Sequence, residues 1–263
     1  MKEKVIQFAV SHKTVNNPIL SSRTILYVNK NIAKESTNNS ISTYTLDNID
    51  YLNPYYCELT ALYWIWKNTD SDIVSFEHYR RLFCNKSKSF FSYKAMNKDK
   101  IEKILKKFKI IIPSQYHIHE TIYQHYADHH SKGDLDCLRE QIEILNPEYL
   151  KDFDLFFNGH SASFFNMFVM GRKDLNDYCD FAFPLLNKVF EIRKEDILKR
   201  DSYQQRSIGY LSERLFNVWV YHNFKKEDIY YCPVIETMKN KSLFVDEIMD
   251  FARMLLGHDY YKR

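Results

Sequence analysis

Apolar residues of this chain gather in short runs and in stripes of helical spacing that follow one another in turn. Runs of strand length occupy residues 5–10, 73–76, 110–112, 164–170 and 229–232. Stripes of helical spacing occupy residues 53–68, 101–108, 122–130, 135–145, 175–193, 208–218 and 244–255. Because helices and strands alternate, the pattern predicts an α/β fold whose sheet is mostly parallel. It shows no repeat or linker, so one domain over residues 1–263 is expected.

Prolines refine two of the predicted helices. Asn53 has the side chain of a helix N-cap and Pro54 suits the first helical position, so a helix is predicted from there to Asn68. Its apolar stripe is wide, which predicts a buried helix with Trp66 packed inside. Pro184 falls within the stripe 175–193 and is expected to kink or split that helix.

Composition narrows the classes of protein to which the chain can belong. Apolar residues make up 45% of it, enough for a sizeable core, and the net charge is only +3. Nucleic acid is not an expected partner, because contacts with many phosphates need clustered positive charge. The five cysteines are scattered without metal-ligand spacing, which is typical of a reducing compartment. The first residues resemble neither a signal peptide nor a membrane anchor, so a cytoplasmic protein is expected.

Polar and basic side chains directly follow two of the predicted strands. One group is Ser-His-Lys at 11–13 and the other is Glu-His-Tyr-Arg-Arg at 77–81. Open α/β sheets bind ligands at the carboxyl ends of their strands, and adjacent arginines can hold a diphosphate. The alternative interpretation is a surface cluster of ion pairs. The residues expected beside a nucleotide and its diphosphate are His12, Lys13, His78, Arg80 and Arg81.

A candidate metal motif stands on the wrong side of the second strand. Asp70 and Asp72 flank Ser71, as in the Asp-x-Asp pair with which many nucleotide-sugar transferases hold a divalent cation. The pair precedes the strand instead of following it, and Asp and Ser also favour an ordinary turn. The sequence therefore offers no well-placed Asp-x-Asp, and a role for a divalent metal is left open.

Five histidines crowd into residues 117–130. His125 and His129 share one face of a predicted helix, as two zinc ligands of a hydrolase would. The first histidine lacks the adjacent glutamate of that motif, which favours a structural or substrate-contact role. A metal-dependent hydrolase is the alternative here. A second alternative is a non-catalytic carbohydrate-binding protein, which the many aromatic residues would suit.

The predicted helix around 208–218 carries a polar stripe. Arg206, Tyr210, Glu213 and Asn217 lie on one side of it, opposite an apolar stripe. Such a stripe is ordinarily the solvated face of an amphipathic helix, and spacing alone favours that interpretation.

Several segments of this chain are shared, in the same order, with a known family. They are Ser-His-Lys at 11–13, Asn-Pro-Tyr-Tyr-Cys-Glu-Leu-Thr at 53–60, Tyr-Trp at 63–64, Trp-Lys-Asn at 66–68, His-Tyr-Arg-Arg at 78–81, Tyr-Gln-His-Tyr at 123–126, His-His at 129–130, Phe-Asn-Met-Phe at 165–168, Tyr-Cys at 178–179, Arg206, and Glu-Arg-Leu at 213–215. Together they resemble a family of bacterial capsule and O-antigen synthesis proteins, long catalogued as a domain of unknown function, that includes UDP-galactofuranose-dependent galactofuranosyltransferases. The match is only partial at 47–50 and 159–161, so the resemblance indicates the reaction class more firmly than it indicates which sugar is transferred.

The resemblance implies a GT-A-like fold, with a nucleotide-binding sheet in about residues 1–115 and a mostly helical acceptor side in about 116–263. It also implies inverting transfer from UDP-galactofuranose to a growing, lipid-linked capsule or O-antigen glycan. In that reaction a carboxylate takes the acceptor proton and positive charge stabilises the departing UDP. Glu77 and Glu213 are the rival candidates for the base. The resemblance puts near the sugar or acceptor, besides Glu213, the residues His160, Asn166, Arg206 and Arg214.

The end of the sequence suggests a membrane contact. Residues 260–263 are aromatic and basic and follow the amphipathic stripe 244–255, so they could rest on a membrane near a lipid-linked acceptor. Peripheral association with the inner face of the cell membrane is the hypothesis, and packing of this helix onto the body is the commoner arrangement.

Overall fold

The structure is a computed structural model that describes residues 4–28, 39–86 and 93–237. The helix predicted at 244–255 and the tail at 260–263 lie outside these ranges. Within them, no helix combines the length and the apolar character needed to span a bilayer.

Strands and helices alternate along the described residues. The strands are β1 (Val5–Ser11), β2 (Thr24–Tyr27), β3 (Ser40–Ser42), β4 (Ile73–His78), β5 (Arg81–Lys86), β6 (Tyr93–Ala95), β7 (Ile110–Pro113), β8 (Tyr116–His117), β9 (Ser161–Ala162), β10 (Phe168–Gly171), β11 (Ile229–Cys232) and β12 (Val234–Glu236). The α-helices are α1 (Asn53–Tyr56), α2 (Leu59–Asn68), α3 (Lys98–Leu105), α4 (Ile122–His129), α5 (Lys132–Leu145), α6 (Leu150–Phe157), α7 (Arg172–Ile197) and α8 (Ser207–Asn223).

The central sheet has the strand order β11-β7-β10-β4-β1-β2-β3. Strands β3, β2, β1 and β4 run parallel, as do β7 and β11, whereas β10 is antiparallel to both neighbours. Strand β5 continues from β4 through a tight turn and pairs with β6 and β12. The sheet is therefore mostly parallel, as predicted, and it includes strands from both the 1–115 and the 116–263 regions.

Alternation along the strands gives the sheet two different faces. Phe76 of β4 stacks on Phe168 of β10, with ring centroids 5.4 Å apart, and both belong to the main core beneath α7 and α8. Ala9 of β1 belongs to a smaller core on the other face. Successive strand residues point to opposite faces, so Glu77 and His78 at the end of β4 point away from each other.

The helix predicted from Asn53 to Asn68 is interrupted. Helices α1 and α2 are separated at Cys57, whose φ of 53° lies in the left-handed region. Asn53 is the first residue of α1, not its N-cap, and its amide donates to the Cys57 carbonyl at 2.9 Å. Trp66 is half-buried and its ring stacks on Phe183 at 5.6 Å, so it packs onto the core without being enclosed by it.

Two other elements differ from their predicted form. Helix α7 continues through Pro184 as one element of 26 residues. An internal proline costs about 3 kcal/mol, and the full burial of Leu185 and Leu186 beside it offsets that cost. The strand predicted at 164–170 begins only at Phe168, because Phe165 and Asn166 have φ values of 83° and 48°.

A buried ion pair joins α5 to the end of α7. The Asp134 carboxylate is fully buried and accepts hydrogen bonds from Arg193 Nε at 3.0 Å and Arg200 Nη2 at 2.9 Å. Arg193 lies near the end of α7 and Arg200 lies just beyond it, so the charge of Asp134 fixes how the two helices meet.

Asp134→Asn should lower the free energy of unfolding by about 3 kcal/mol, because two partly buried guanidinium groups lose their buried counter-charge and keep only the exposed Asp196. Asp136→Asn on the same helix is the control, since its partner Lys132 is exposed and the change should be much smaller. Urea denaturation of both variants measures the difference. Equal destabilisation by the two substitutions would contradict this account of the α5–α7 contact.

Candidate functional site

The carboxyl ends of β1 and β4 lie side by side because the two strands pair in parallel. His12 and Lys13 follow β1, while Tyr79 and Arg80 form the two-residue turn from β4 to β5. Tyr79 is buried, the His12 ring meets its edge at 5.5 Å, and Lys13 Nζ lies 5.4 Å from its centroid. The aromatic ring thus holds the two strand ends together.

Further cations surround this edge of the sheet. Burial, followed by the charges of Arg80, Lys13 and Arg206, holds the pKa of His12 below its usual range. Arg206 comes from the turn before α8, far from the others in sequence. The guanidinium of Arg81 lies 4.3 Å from the centre of the Phe165 ring, and an oxygen of Glu236 lies 3.7 Å from its Nη2. The cationic cluster consists of Lys13, Arg80, Arg81 and Arg206, and the His12 ring lies among them.

Two further carboxylates, besides Glu236, lie next to the cationic cluster. Glu58 precedes α2, and its Oε1 accepts from Asn166 Nδ2 at 2.8 Å. The Glu213 side chain is 17% exposed, and its Oε2 accepts from Arg214 Nη1 at 2.9 Å. Burial and the nearby charge of Glu58 raise the pKa of Glu213, against the opposing effects of Arg214 and of the Phe165 N–H. Glu213 therefore binds a proton more readily than an ordinary glutamate.

The loop before β10 brings backbone groups to these side chains. Its residues Phe165 and Asn166 have positive φ, which costs about 1–3 kcal/mol at a non-glycine residue. The Phe165 carbonyl accepts from His78 Nε2 at 2.6 Å. Asn217 of α8 holds the loop by accepting from the Ser163 N–H at 2.9 Å and donating to its carbonyl at 2.8 Å. The strain is thus maintained by buried hydrogen bonds beside the carboxylates.

His78 donates its Nε2 proton to that carbonyl, and its ring lies close to the charges of Glu58, Arg81 and Arg80. Burial lowers its pKa, Glu58 acts in the opposite direction, and Arg81 and Arg80 lower it further. His78 is therefore an uncharged hydrogen-bond donor at neutral pH.

The start of α8 packs against the break between α1 and α2. A Cβ on Gly209 would lie 3.2 Å from Cys57 Sγ, so the absence of a side chain permits this close approach. Arg206 Nε donates to the same sulfur at 3.1 Å. Burial raises the pKa of Cys57 to about 12, so the thiol stays protonated and serves in packing. The break positions Glu58 immediately beside these contacts.

The polar stripe of α8 is not a solvated face, and that interpretation is wrong. Asn217 is buried, Glu213 is mostly buried and Tyr210 is half-buried, because α1, α6 and α7 cover this helix. Arg206 is the exposed member. Glu58 was not among the predicted site residues, although it belongs to the shared segment 53–60, and that segment was the signal that could have identified it.

Glu77 does not reach the cationic cluster. It points to the face of β4 opposite His78, where its carboxylate accepts from Arg23 Nε at 3.1 Å and from the Phe83 N–H at 2.8 Å. The side chains of Arg23 and Glu77 are both fully buried. Of the two rival candidates for a base, Glu213 is the one near the cations, and Glu77 stabilises the packing between β4, β5 and β2.

Comparison with known proteins agrees with this architecture. Residues 6–225 match the family described as a domain of unknown function, DUF4422. This chain belongs to that family. No curated protein matches the chain. Its fold is similar to the apo structure of the bifunctional glycosyltransferase WbbM, with a TM-score of 0.74 and 24% identity. The similarity covers 90% of this chain and 46% of the other, so the chain spans about half of that protein. The predicted fold, a sheet flanked by helices, is confirmed.

Other sequence-predicted residues of this DUF4422 member lie elsewhere. His160 is exposed, its Nδ1 lies 2.8 Å from the Glu120 carbonyl, and its ring neighbours His117 at 6.1 Å beside the β8–β9 pair. Asp70 and Asp72 precede β4, at the end of the strand away from the cationic cluster. That position does not fit a metal bound with a diphosphate, so no metal step is assigned to this pair.

The histidines of 117–130 do not converge on a metal site. His125 is buried with its ring 4.6 Å from that of His129, and His130 stacks on Tyr210 at 4.0 Å. In the described ranges, no three or more His, Cys, Asp or Glu side chains are grouped to hold a metal ion. Their contacts are those of packed aromatic rings, which favours the structural role.

His130 gives a prediction for stability against pH. Burial, with the charge of Arg214, lowers its pKa to about 3, so the unfolded chain takes up a proton below pH 6.5 that the folded chain does not. Between pH 7 and pH 5 this residue should remove about 2 kcal/mol of stability. His130→Phe should therefore lose about 2 kcal/mol less than the wild type over this interval.

Urea unfolding at the two pH values tests this, with His119→Phe as the control. His119 is exposed, so that variant should keep the wild-type dependence on pH. An unchanged dependence in His130→Phe would show that His130 does not control it.

Proposed function

We propose that this chain is a glycosyltransferase that moves a sugar from a nucleotide donor to a growing glycan with inversion. The observation that carries the proposal is the cationic cluster beside Glu58 and Glu213 at the carboxyl ends of β1 and β4. The fold shared with a glycosyltransferase supports it. Galactofuranose from UDP-galactofuranose, and a capsule or O-antigen acceptor, follow from the family that the sequence resembles.

The cationic cluster suits the diphosphate of a UDP-sugar. Ligands of open α/β sheets bind at strand carboxyl ends, and guanidinium groups match phosphate oxygens in geometry and charge. In the proposal His12 and Lys13 contact the nucleotide, while Arg80 and Arg81 contact the diphosphate. Arg206, from the turn before α8, adds a further positive charge. As the sugar leaves, these groups stabilise the negative charge that develops on UDP.

Glu213 is proposed as the general base. An acceptor hydroxyl attacks the anomeric carbon, its proton passes to the Glu213 carboxylate, and the bond from that carbon to the UDP oxygen breaks. The raised pKa of Glu213 suits this role, because a base works best when its pKa approaches the working pH. Asn166 holds the second carboxylate, Glu58, and Arg214 orients Glu213.

The proposed acceptor is lipid-linked, which would keep a cytoplasmic enzyme at the inner face of the cell membrane. The basic and aromatic residues 260–263 are the proposed contact, and they lie outside the described residues. A non-catalytic carbohydrate-binding protein would bind glycans without consuming a UDP-sugar, so calorimetry with UDP separates these functions.

Arg80→Ala is the cleanest test of the diphosphate site. Arg80 is exposed on the β4–β5 turn, whereas Arg81 also contacts Phe165 and Glu236. Loss of one group that stabilises the departing UDP should lower turnover by about two to three orders of magnitude without lowering the melting temperature. Arg81→Ala should lower turnover and the melting temperature together.

Arg139→Ala on α5 is the control for transfer and UDP affinity, because it removes a half-buried arginine that pairs with Asp154 away from the cationic cluster. Transfer from UDP-galactofuranose, UDP affinity and thermal melting are measured for all three variants. Normal transfer and UDP affinity in both Arg80→Ala and Arg81→Ala would refute the proposed site.

Glu213→Gln and Glu77→Gln should fail in different ways. Glu213→Gln should fold and bind UDP but lose about two to four orders of magnitude in transfer, because the base is gone. Glu77→Gln should instead lose about 3 kcal/mol of stability, because Arg23 is left buried without its counter-charge. Transfer assays and urea denaturation distinguish them. Full transfer by Glu213→Gln would rule out its role as the base.

A further inference from the structure

A groove of about 410 Å³ lies between the end of α4 and the segment that leads into α8. Its walls include Asp128, His129, Arg200, Asp201 and Gln204. We propose that this groove binds a neutral sugar unit of the acceptor glycan, an inference that rests on the proposed glycosyltransferase function. The volume falls within the range of about 300–1,000 Å³ that is typical of small-molecule sites.

The charges of the groove favour a neutral, hydroxyl-rich ligand over an anion. Arg200 contributes a guanidinium to the lining of the groove, and that group already donates to Asp134 and Asp196. Two carboxylates, Asp128 and Asp201, also line the groove. A phosphate or nucleotide would be repelled by these carboxylates, while the cation that would attract it is committed elsewhere.

Sugar hydroxyls find suitable partners on the same walls. Asp201 Oδ1 accepts from the N–H groups of Tyr203 and Gln204 at 2.9 and 3.0 Å, which fixes this carboxylate where the segment that leads into α8 begins. An ionised carboxylate can accept about four hydrogen bonds, so it retains capacity for a ligand hydroxyl. The Gln204 side chain bonds the His129 carbonyl at 2.9 Å and ties the two walls together.

An exposed aromatic ring flanks the groove. Tyr203 is 55% exposed, and its ring lies 6.3 Å from His130 and 5.4 Å from Tyr210. An amphipathic ring with one open side is a surface on which the apolar face of a sugar can rest while its hydroxyls meet polar groups. The backing rings hold Tyr203 in place, which reduces the entropy lost on binding.

The same rings connect the groove to the proposed site of transfer. Tyr210 lies between Tyr203 and Arg206, whose guanidinium is 5.5 Å from the Tyr210 ring centre. Arg206 is the member of the cationic cluster that bonds Cys57, next to Glu58. A glycan held in the groove would therefore extend along this face toward Glu213, which lies one helical turn beyond Tyr210 on α8.

Binding to an array of neutral oligosaccharides that end in galactose, glucose, rhamnose or N-acetylglucosamine tests the groove, with UDP calorimetry in parallel. The wild-type protein should bind at least one of these glycans. Tyr203→Ala should weaken that binding about tenfold and leave UDP affinity unchanged. Tyr203→Phe should keep it, because the ring is preserved. Tyr51→Ala removes a tyrosine that is 77% exposed elsewhere and is the matched control.

The outcomes separate the groove from the function on which it rests. Glycan binding that is unaffected by Tyr203→Ala, or UDP binding by a wild type that retains no neutral glycan, overturns the groove and leaves the glycosyltransferase proposal intact. Glycan binding that depends on Tyr203 without any UDP affinity supports the groove and counts against the transferase. Retention of acidic glycans alone also overturns the groove, since the carboxylates should repel them.

Discussion

The parallel pairing of β1 with β4 is the constraint on which the candidate site depends. In this register Val10 lies opposite His78, so both strands end at nearly the same level. His12 and the β4–β5 turn therefore lie side by side at this edge of the sheet. Alternation then directs His78 to one face and Glu77 to the other, where Arg23 neutralises it. A register shift of one residue would exchange these faces and remove the histidine from the site.

Helix α8 supplies what the sheet edge lacks. It carries Glu213 beside the cations, and its Asn217 holds the strained loop at Phe165 and Asn166. Two residues with positive φ cost a few kcal/mol together, so such a loop persists only where buried hydrogen bonds over-determine it. Gly209 lets the same helix approach the break at α1–α2 that carries Glu58. The site is therefore built where three distant parts of the chain meet.

The balance of charge at this meeting point is itself informative. Positive side chains here outnumber the three carboxylates beside them, Glu58, Glu213 and Glu236; they are Lys13, Arg80, Arg81, Arg206 and Arg214. Like charges held close together are unfavourable unless a counter-ion joins them, so the arrangement suits a bound anion with more than one negative charge. The groove beside Tyr203 has the opposite character, with its arginine neutralised and its carboxylates available. In our proposals, one face of the molecule thus binds the anionic donor at one place and a neutral sugar of the acceptor next to it.

Local patterns in the sequence determined the elements and the strand ends: the apolar runs of β1, β4, β7 and β11, the stripes of α3 to α5 and α8, and the basic residues that follow β1 and β4. They did so because strand and helix periods depend only on neighbouring residues. Tertiary structure alone decided that most of the polar stripe of α8 is buried, that the helix breaks at Cys57 beside Glu58, and that Glu77 pairs with the buried Arg23. These outcomes depend on which distant surfaces pack together, and the spacing of residues along the chain does not determine that packing.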